Sequence, residues 1–135
     1  MLVGQSYGGV STLNLASQGV PGIKGAVNFA GGAGGDAKTR PHNTCRPDYV
    51  EDEAVSWGKA TQIPTMWLYS QNDMTFAKDV PEDWFKAYTK KSPNPKNHEF
   101  VSLPPYRDDG HSVINGFNIW SKYFERFEEK LGIKG

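Results

Sequence analysis

Five residues near the start, Gly4-Gln5-Ser6-Tyr7-Gly8, restrict the fold more than any other stretch. Glycine two places before and two places after a serine is the spacing of a strand that turns sharply into a helix, with the serine at the apex. Strand and helix nearly touch at such a junction, so a β-carbon at either flanking position is expected to clash, and both Gly4 and Gly8 are predicted to be required. The flanks agree with this. Leu2-Val3 reads as the end of a buried strand, and residues 7–17 carry Val10, Leu13, Leu15 and Ala16 in helix-compatible order before Gly19 and Pro21 stop them. Three residues ahead of Gly4 are few for the strand the turn needs, so a chain lacking the strands that would precede it is expected.

Downstream, apolar runs alternate with helical patterns. Residues 25–30 and 65–69 are short apolar runs, the first ended by glycines and the second bounded by Pro64 and Asn72-Asp73, as in strands of a parallel sheet. Between them residues 31–48, rich in Gly, Pro and Asn, predict a long surface connection, with a short helix over about residues 52–61. Asp79, followed by Pro81 and Glu82, resembles a capping box, opening a helix with Trp84, Phe85 and Tyr88 on its apolar side that ends near Lys91. Phe100, Val101 and Leu103 form the last strand, stopped by Pro104-Pro105. In the closing helix Phe117, Trp120, Phe124, Phe127 and Leu131 recur at steps of 3, 4, 3 and 4, opposite Lys122, Glu125, Arg126, Glu128 and Glu129. Such a stripe is core. With no repeat or linker, the expectation is one α/β domain over residues 1–135, a three-layer α/β/α arrangement on a mostly parallel sheet.

Fifteen basic and fifteen acidic residues cancel, which argues against nucleic acid or anionic lipid as a partner and for a small molecule. No apolar stretch approaches the roughly 20 residues of a bilayer span, and no signal-peptide pattern opens the chain, which leaves the compartment open between cytoplasmic and exported. Cys45 has no second thiol for a disulfide and reads as a packed or half-exposed group. His42 and Cys45 lack further partners for a metal site. Gly32-Ala33-Gly34-Gly35-Asp36-Ala37 loosely matches a dinucleotide fingerprint, but Pro41 and Asn43 interrupt the helix that must follow.

A serine hydroxyl becomes a useful nucleophile only when a base takes its proton and a carboxylate holds that base in the right tautomer. His42 lies in the Gly-rich connection and His98 ahead of a strand, whereas His111, in Asp109-Gly110-His111-Ser112, stands between a strand end and the closing helix. Asp73 follows a strand whose tip points into the same crevice as Ser6. Asp108 and Asp109 are rival acids but stand too near His111 along the chain to orient its ring from a separate strand. The candidate set is therefore Ser6, Asp73 and His111, with the Tyr7 N–H as one oxyanion donor and no cofactor.

Taken together, Val3-Gly4-Gln5-Ser6-Tyr7-Gly8-Gly9, Gly25-Ala26-Val27-Asn28-Phe29-Ala30-Gly31-Gly32, Pro64-Thr65-Met66-Trp67-Leu68-Tyr69 with Asn72-Asp73, Leu103-Pro104-Pro105 and Asp109-Gly110-His111 resemble the C-terminal half of dienelactone-hydrolase-like α/β-hydrolases. The resemblance implies a serine hydrolase of esters, lactones or related acyl compounds, with Ser6 where the dienelactone hydrolases themselves carry cysteine. It implies that the second oxyanion donor comes from a segment this chain does not contain, that activity of this piece alone is weak or absent, and that the strand before Ser6 leaves a long free edge open to another copy or to the missing half. The alternatives are a prolyl-oligopeptidase-like peptidase and a noncatalytic piece that only binds or supports.

Overall fold

The computed structural model describes residues 1–77 and 79–133. Strands β1 (Leu2–Gln5), β2 (Ala26–Phe29), β3 (Thr65–Ser70) and β4 (His98–Leu103) lie in that order in one sheet. All three pairings are parallel, with Leu2 opposite Ala26, Ala26 opposite Thr65 and Thr65 opposite His98. Helices α1 (Tyr7–Ala16), α2 (Pro47–Ala60) and α3 (Val80–Lys90) connect successive strands, and α4 (Phe117–Leu131) closes the chain. Because the strands run parallel, every connection that follows a strand leaves from the same end of the sheet. Ser6, Gly31, Asp73 and the His111 segment therefore start from one side of the sheet.

Side chains alternate across the strands, and the two faces bury different partners. Ala30, Trp67 and Tyr69 face Leu13 of α1, Ala54 of α2, and Trp84 and Tyr88 of α3. Val27, Phe29, Met66, Leu68, Val101 and Leu103 face Val113 and Phe127, with Trp120, Phe124 and Leu131 of α4 packed alongside. The expected three-layer α/β/α arrangement is present. β2 and β3 are buried at every position, which is why they read as continuous apolar runs and not as alternating ones.

Several local expectations are corrected. β1 is four residues long and forms a sheet edge among the described residues, so Val3 is 47% exposed and not buried. α2 begins at Pro47, well before residue 52, because proline's fixed φ suits the first helical position and Val50, Ala54, Val55 and Trp57 give an otherwise acidic segment an apolar face. The capping box at α3 does not form: Asp79 has φ 71° and makes no side-chain cap, and only its carbonyl enters the helix, accepting from the Asp83 N–H at 3.0 Å. Phe117 begins the α4 stripe but is 60% exposed, edge-on to Trp120 and beyond the reach of the sheet. Cys45 is exposed, as is His42. None of the described helices is long and apolar enough to cross a membrane.

His98 opens β4 instead of preceding it, at the sheet end opposite Ser6. It is buried, shares a 2.8 Å hydrogen bond with Thr65 Oγ1 and packs edge-on against Tyr88. Burial, helped by the charge of Lys130, lowers its pKa to about 4. It is a neutral structural group.

Candidate active site

Ser6 lies between β1 and α1 with φ 56° and ψ −123°, a conformation that costs a non-glycine residue on the order of 1–3 kcal/mol. Backbone bonds on several sides hold it there: the Ser6 N–H donates to Phe29 O at 2.9 Å, and Ser6 O accepts from the Gly9 N–H at 2.9 Å and the Gly32 N–H at 3.4 Å. Gly4 is required as expected, since a β-carbon there would run into the Gly8 carbonyl and the Thr12 hydroxyl. Gly8 is not required on those grounds. A β-carbon on Gly8 meets nothing within 4 Å among the described residues, because the position faces outward on α1. Tyr7 occupies the first helical position, where backbone N–H groups have no partner within the helix, and its side chain is exposed.

His111 reaches Ser6 from beyond β4, the strand farthest from β1. Its segment leaves β4, passes Pro104 and Pro105 and enters the 3-10 turn Gly110–Asn115, which Val113 anchors by burying itself beneath the sheet. His111 Nε2 stands 3.0 Å from Ser6 Oγ, and Nδ1 stands 3.1 Å from Asp73 Oδ2. Asp73 is buried just past β3, and its other oxygen accepts from the Thr75 N–H at 2.8 Å. Burial alone would push the His111 pKa down, but the hydrogen bond and charge of Asp73, with the charge of Asp109, outweigh it and hold the pKa above the usual histidine value. Three residues separated by most of the chain thus form one contiguous hydrogen-bonded line.

Asp109 is not the carboxylate on the imidazole ring: its Oδ1 accepts from two backbone N–H groups, those of His111 and Met74, each at 2.9 Å. Gln5 donates from Nε2 to the His111 carbonyl at 3.3 Å, and the Phe76 ring packs edge-on against the imidazole at a centroid distance of 5.6 Å. Asn72, Asp109 and Phe76 were not singled out as supporting residues from the sequence, and only the adjacency of Asn72 and Asp109 to Asp73 and His111 could have pointed to the first two. Among the described residues no cluster of three His, Cys, Asp or Glu side chains could hold a metal ion.

The segment behind Ser6 rests on a buried polar pair. Tyr69 donates its hydroxyl to Gly31 O at 2.6 Å and accepts from Asn28 Nδ2 at 3.0 Å. Burial holds the phenol neutral, its pKa raised well beyond the ordinary tyrosine value. Tyr69→Phe leaves a buried carbonyl and a buried amide without this partner, and the expected loss is about 1–3 kcal/mol of unfolding free energy in urea denaturation. A loss within ~0.3 kcal/mol of zero would show that the two groups re-pair at no cost.

This arrangement, a parallel sheet with a strand–serine–helix turn and with Asp73 and His111 entering after later strands, is an α/β fold of the kind seen in α/β-hydrolases. Solved structures agree on the fold. An esterase from Pyrococcus furiosus superposes with a TM-score of 0.62 at 12% identity, covering 96% of this chain and 52% of that one. A putative dienelactone hydrolase from Klebsiella pneumoniae subsp. pneumoniae gives 0.59 at 19% identity over 96% and 50%. A puromycin-hydrolyzing peptidase from Mycobacterium tuberculosis gives 0.58 at 17% identity over 98% of this chain and 22% of the peptidase. The chain therefore spans about half the length of the esterase and the dienelactone hydrolase. No protein-family model and no curated protein matches it by sequence.

Proposed function

We propose that the chain carries the reacting groups of a serine hydrolase that cleaves a carboxylic ester, lactone or related acyl bond. The observation that carries this reading is the line Asp73 Oδ2, His111 Nδ1, His111 Nε2, Ser6 Oγ, with both contacts within hydrogen-bond reach. Ser6 Oγ attacks the acyl carbonyl while His111 Nε2 takes its proton. Asp73 keeps the other proton on Nδ1, which presents the basic nitrogen to Ser6 and stabilises the imidazolium once formed. The Tyr7 N–H, at the positive end of α1, is one donor to the oxygen that becomes negative. Collapse of the tetrahedral adduct returns the proton from His111 to the leaving alkoxide, and water repeats the cycle to free the acid. An amide could follow the same course, and the peptidase among the structural neighbours favours that as the second reading.

A fluorophosphonate tests the reading without knowledge of the substrate, because it phosphonylates only an activated serine. The chain is expected to label, and Ser6→Ala to abolish labelling. Since the base must be unprotonated, the rate should fall as pH drops through a midpoint above the ordinary histidine value of about 6.5. A folded chain that shows no labelling above the Ser6→Ala background would sink the proposal.

A further inference from the structure

The ring of His111 is held by Ser6 and Asp73, but the backbone that carries the ring is held by something else. Residues 104–109 form an exposed excursion between β4 and the 3-10 turn, and such a segment, left to itself, would place an imidazole poorly. Two side chains tie it to the loop that carries Asp73. Asn72 accepts from the Tyr106 N–H at 2.9 Å through Oδ1 and donates from Nδ2 to Arg107 O at 2.9 Å and Tyr106 O at 3.3 Å. Its own carbonyl accepts from the Gly110 N–H at 3.1 Å. The two loops approach so closely that a β-carbon on Gly110 would collide with Asn72 Oδ1 and Ser70 Oγ.

Asp109 closes this junction at its most sensitive point. One carboxylate oxygen accepts from the N–H of His111 itself and from the N–H of Met74, the residue that follows Asp73. It thereby sets the base's main chain against the acid's main chain through a single atom. Its negative charge also helps hold the His111 pKa up, after the larger effect of Asp73.

We propose that Asp109 is a positioning residue for the reaction, fixing the separation of His111 from Asp73 and Ser6 by clamping the His111 and Met74 N–H groups on one carboxylate oxygen. This rests on the reading of Ser6 and His111 as the reacting pair. A displacement of about 1 Å in such a pair costs on the order of 100-fold in rate, whereas the same displacement in a purely structural loop costs no rate at all.

The test compares the full chain with Asp109→Asn and Asp109→Ala through two readouts: the NMR titration of the His111 imidazole, and the fluorophosphonate labelling rate across pH. Asparagine retains an oxygen for the two N–H groups but carries no charge, so its high-pH labelling plateau should stay within about 3-fold of wild type, while the His111 midpoint moves to lower pH. Alanine loses the clamp as well, and its plateau should fall by roughly 10- to 100-fold with the same downward midpoint shift. Thermal melts report the folded fraction, by which each plateau is scaled. The proposal is overturned if the scaled Asp109→Ala plateau coincides with wild type, whatever its His111 midpoint, or if Asp109→Asn loses as much plateau rate as Asp109→Ala. If the wild-type chain does not label at all, the serine-hydrolase reading fails separately. The titrations then decide for Asp109: shifted midpoints support its coupling to His111, and three coincident curves overturn it.

Discussion

Asp73→Asn is expected to slow fluorophosphonate labelling of Ser6 by roughly 1,000- to 10,000-fold while leaving the fold intact. The asparagine side chain has the same shape, so the acceptor for the Thr75 N–H can be retained at about the present 2.8 Å. What changes is the ring. An amide nitrogen facing His111 Nδ1 donates where Asp73 accepts, which drives the ring proton to Nε2 and points an N–H, not a lone pair, at Ser6 Oγ. The defect is one of tautomer and not of protonation, so raising the pH should not rescue it. Labelling of Asp73→Asn that stays within ~10-fold of the wild-type rate across pH would show that Asp73 does not set the tautomer of His111.

Trp84→Ala should remove about 3–5 kcal/mol of stability, a large share of the 5–15 kcal/mol typical of a domain. The Trp84 side chain is 1% exposed in the layer between α3, α2 and the sheet. Its Nε1 donates to Pro47 O at 2.9 Å, anchoring the first turn of α2, and its ring packs edge-on against Phe76 at 5.2 Å. Phe76 in turn packs against His111, so the cavity opens beneath the candidate base as well as beneath α2. Trp84→Phe keeps most of the ring volume and frees the Pro47 carbonyl, and should cost about 1–3 kcal/mol. Urea unfolding of the three proteins measures both values. An alanine variant less than ~1 kcal/mol below wild type would mean that α2 and α3 collapse into the vacated space.

The parts of the fold that the sequence foretold share a physical cause. β2 and β3 are buried on both faces, and α4 lays a wide apolar stripe on the sheet, so their hydrophobic patterns are dense and local. The start of α2 is hidden in the sequence because its first half carries Asp48, Glu51, Asp52 and Glu53, and only its packing with α3 makes Val50 and Ala54 a face. Asp79 followed by Glu82 has the spacing of a cap, yet the chain enters α3 through a left-handed residue, and spacing carries no information about φ.

The candidate site divides in the same way. The sequence offered Ser6, Asp73 and His111 as a candidate set because each follows a strand, and in a parallel sheet all strand ends on one side share a crevice, although His111 comes eight residues after β4 ends. Local residue patterns were enough to read the alternation of strand and helix, the sharp turn at Ser6 and the order in which Ser6, Asp73 and His111 arrive. Packing alone revealed that Asp109 holds the His111 and Met74 N–H groups, that Gly4 and not Gly8 is squeezed, and that Tyr69 and Asn28 brace the segment behind Ser6. Apart from the contacts of Gly4 with Gly8 and Thr12, and of Asp109 with the His111 N–H, those outcomes depend on distances between residues more than 30 positions apart, which packing sets and which no local pattern of residue types encodes.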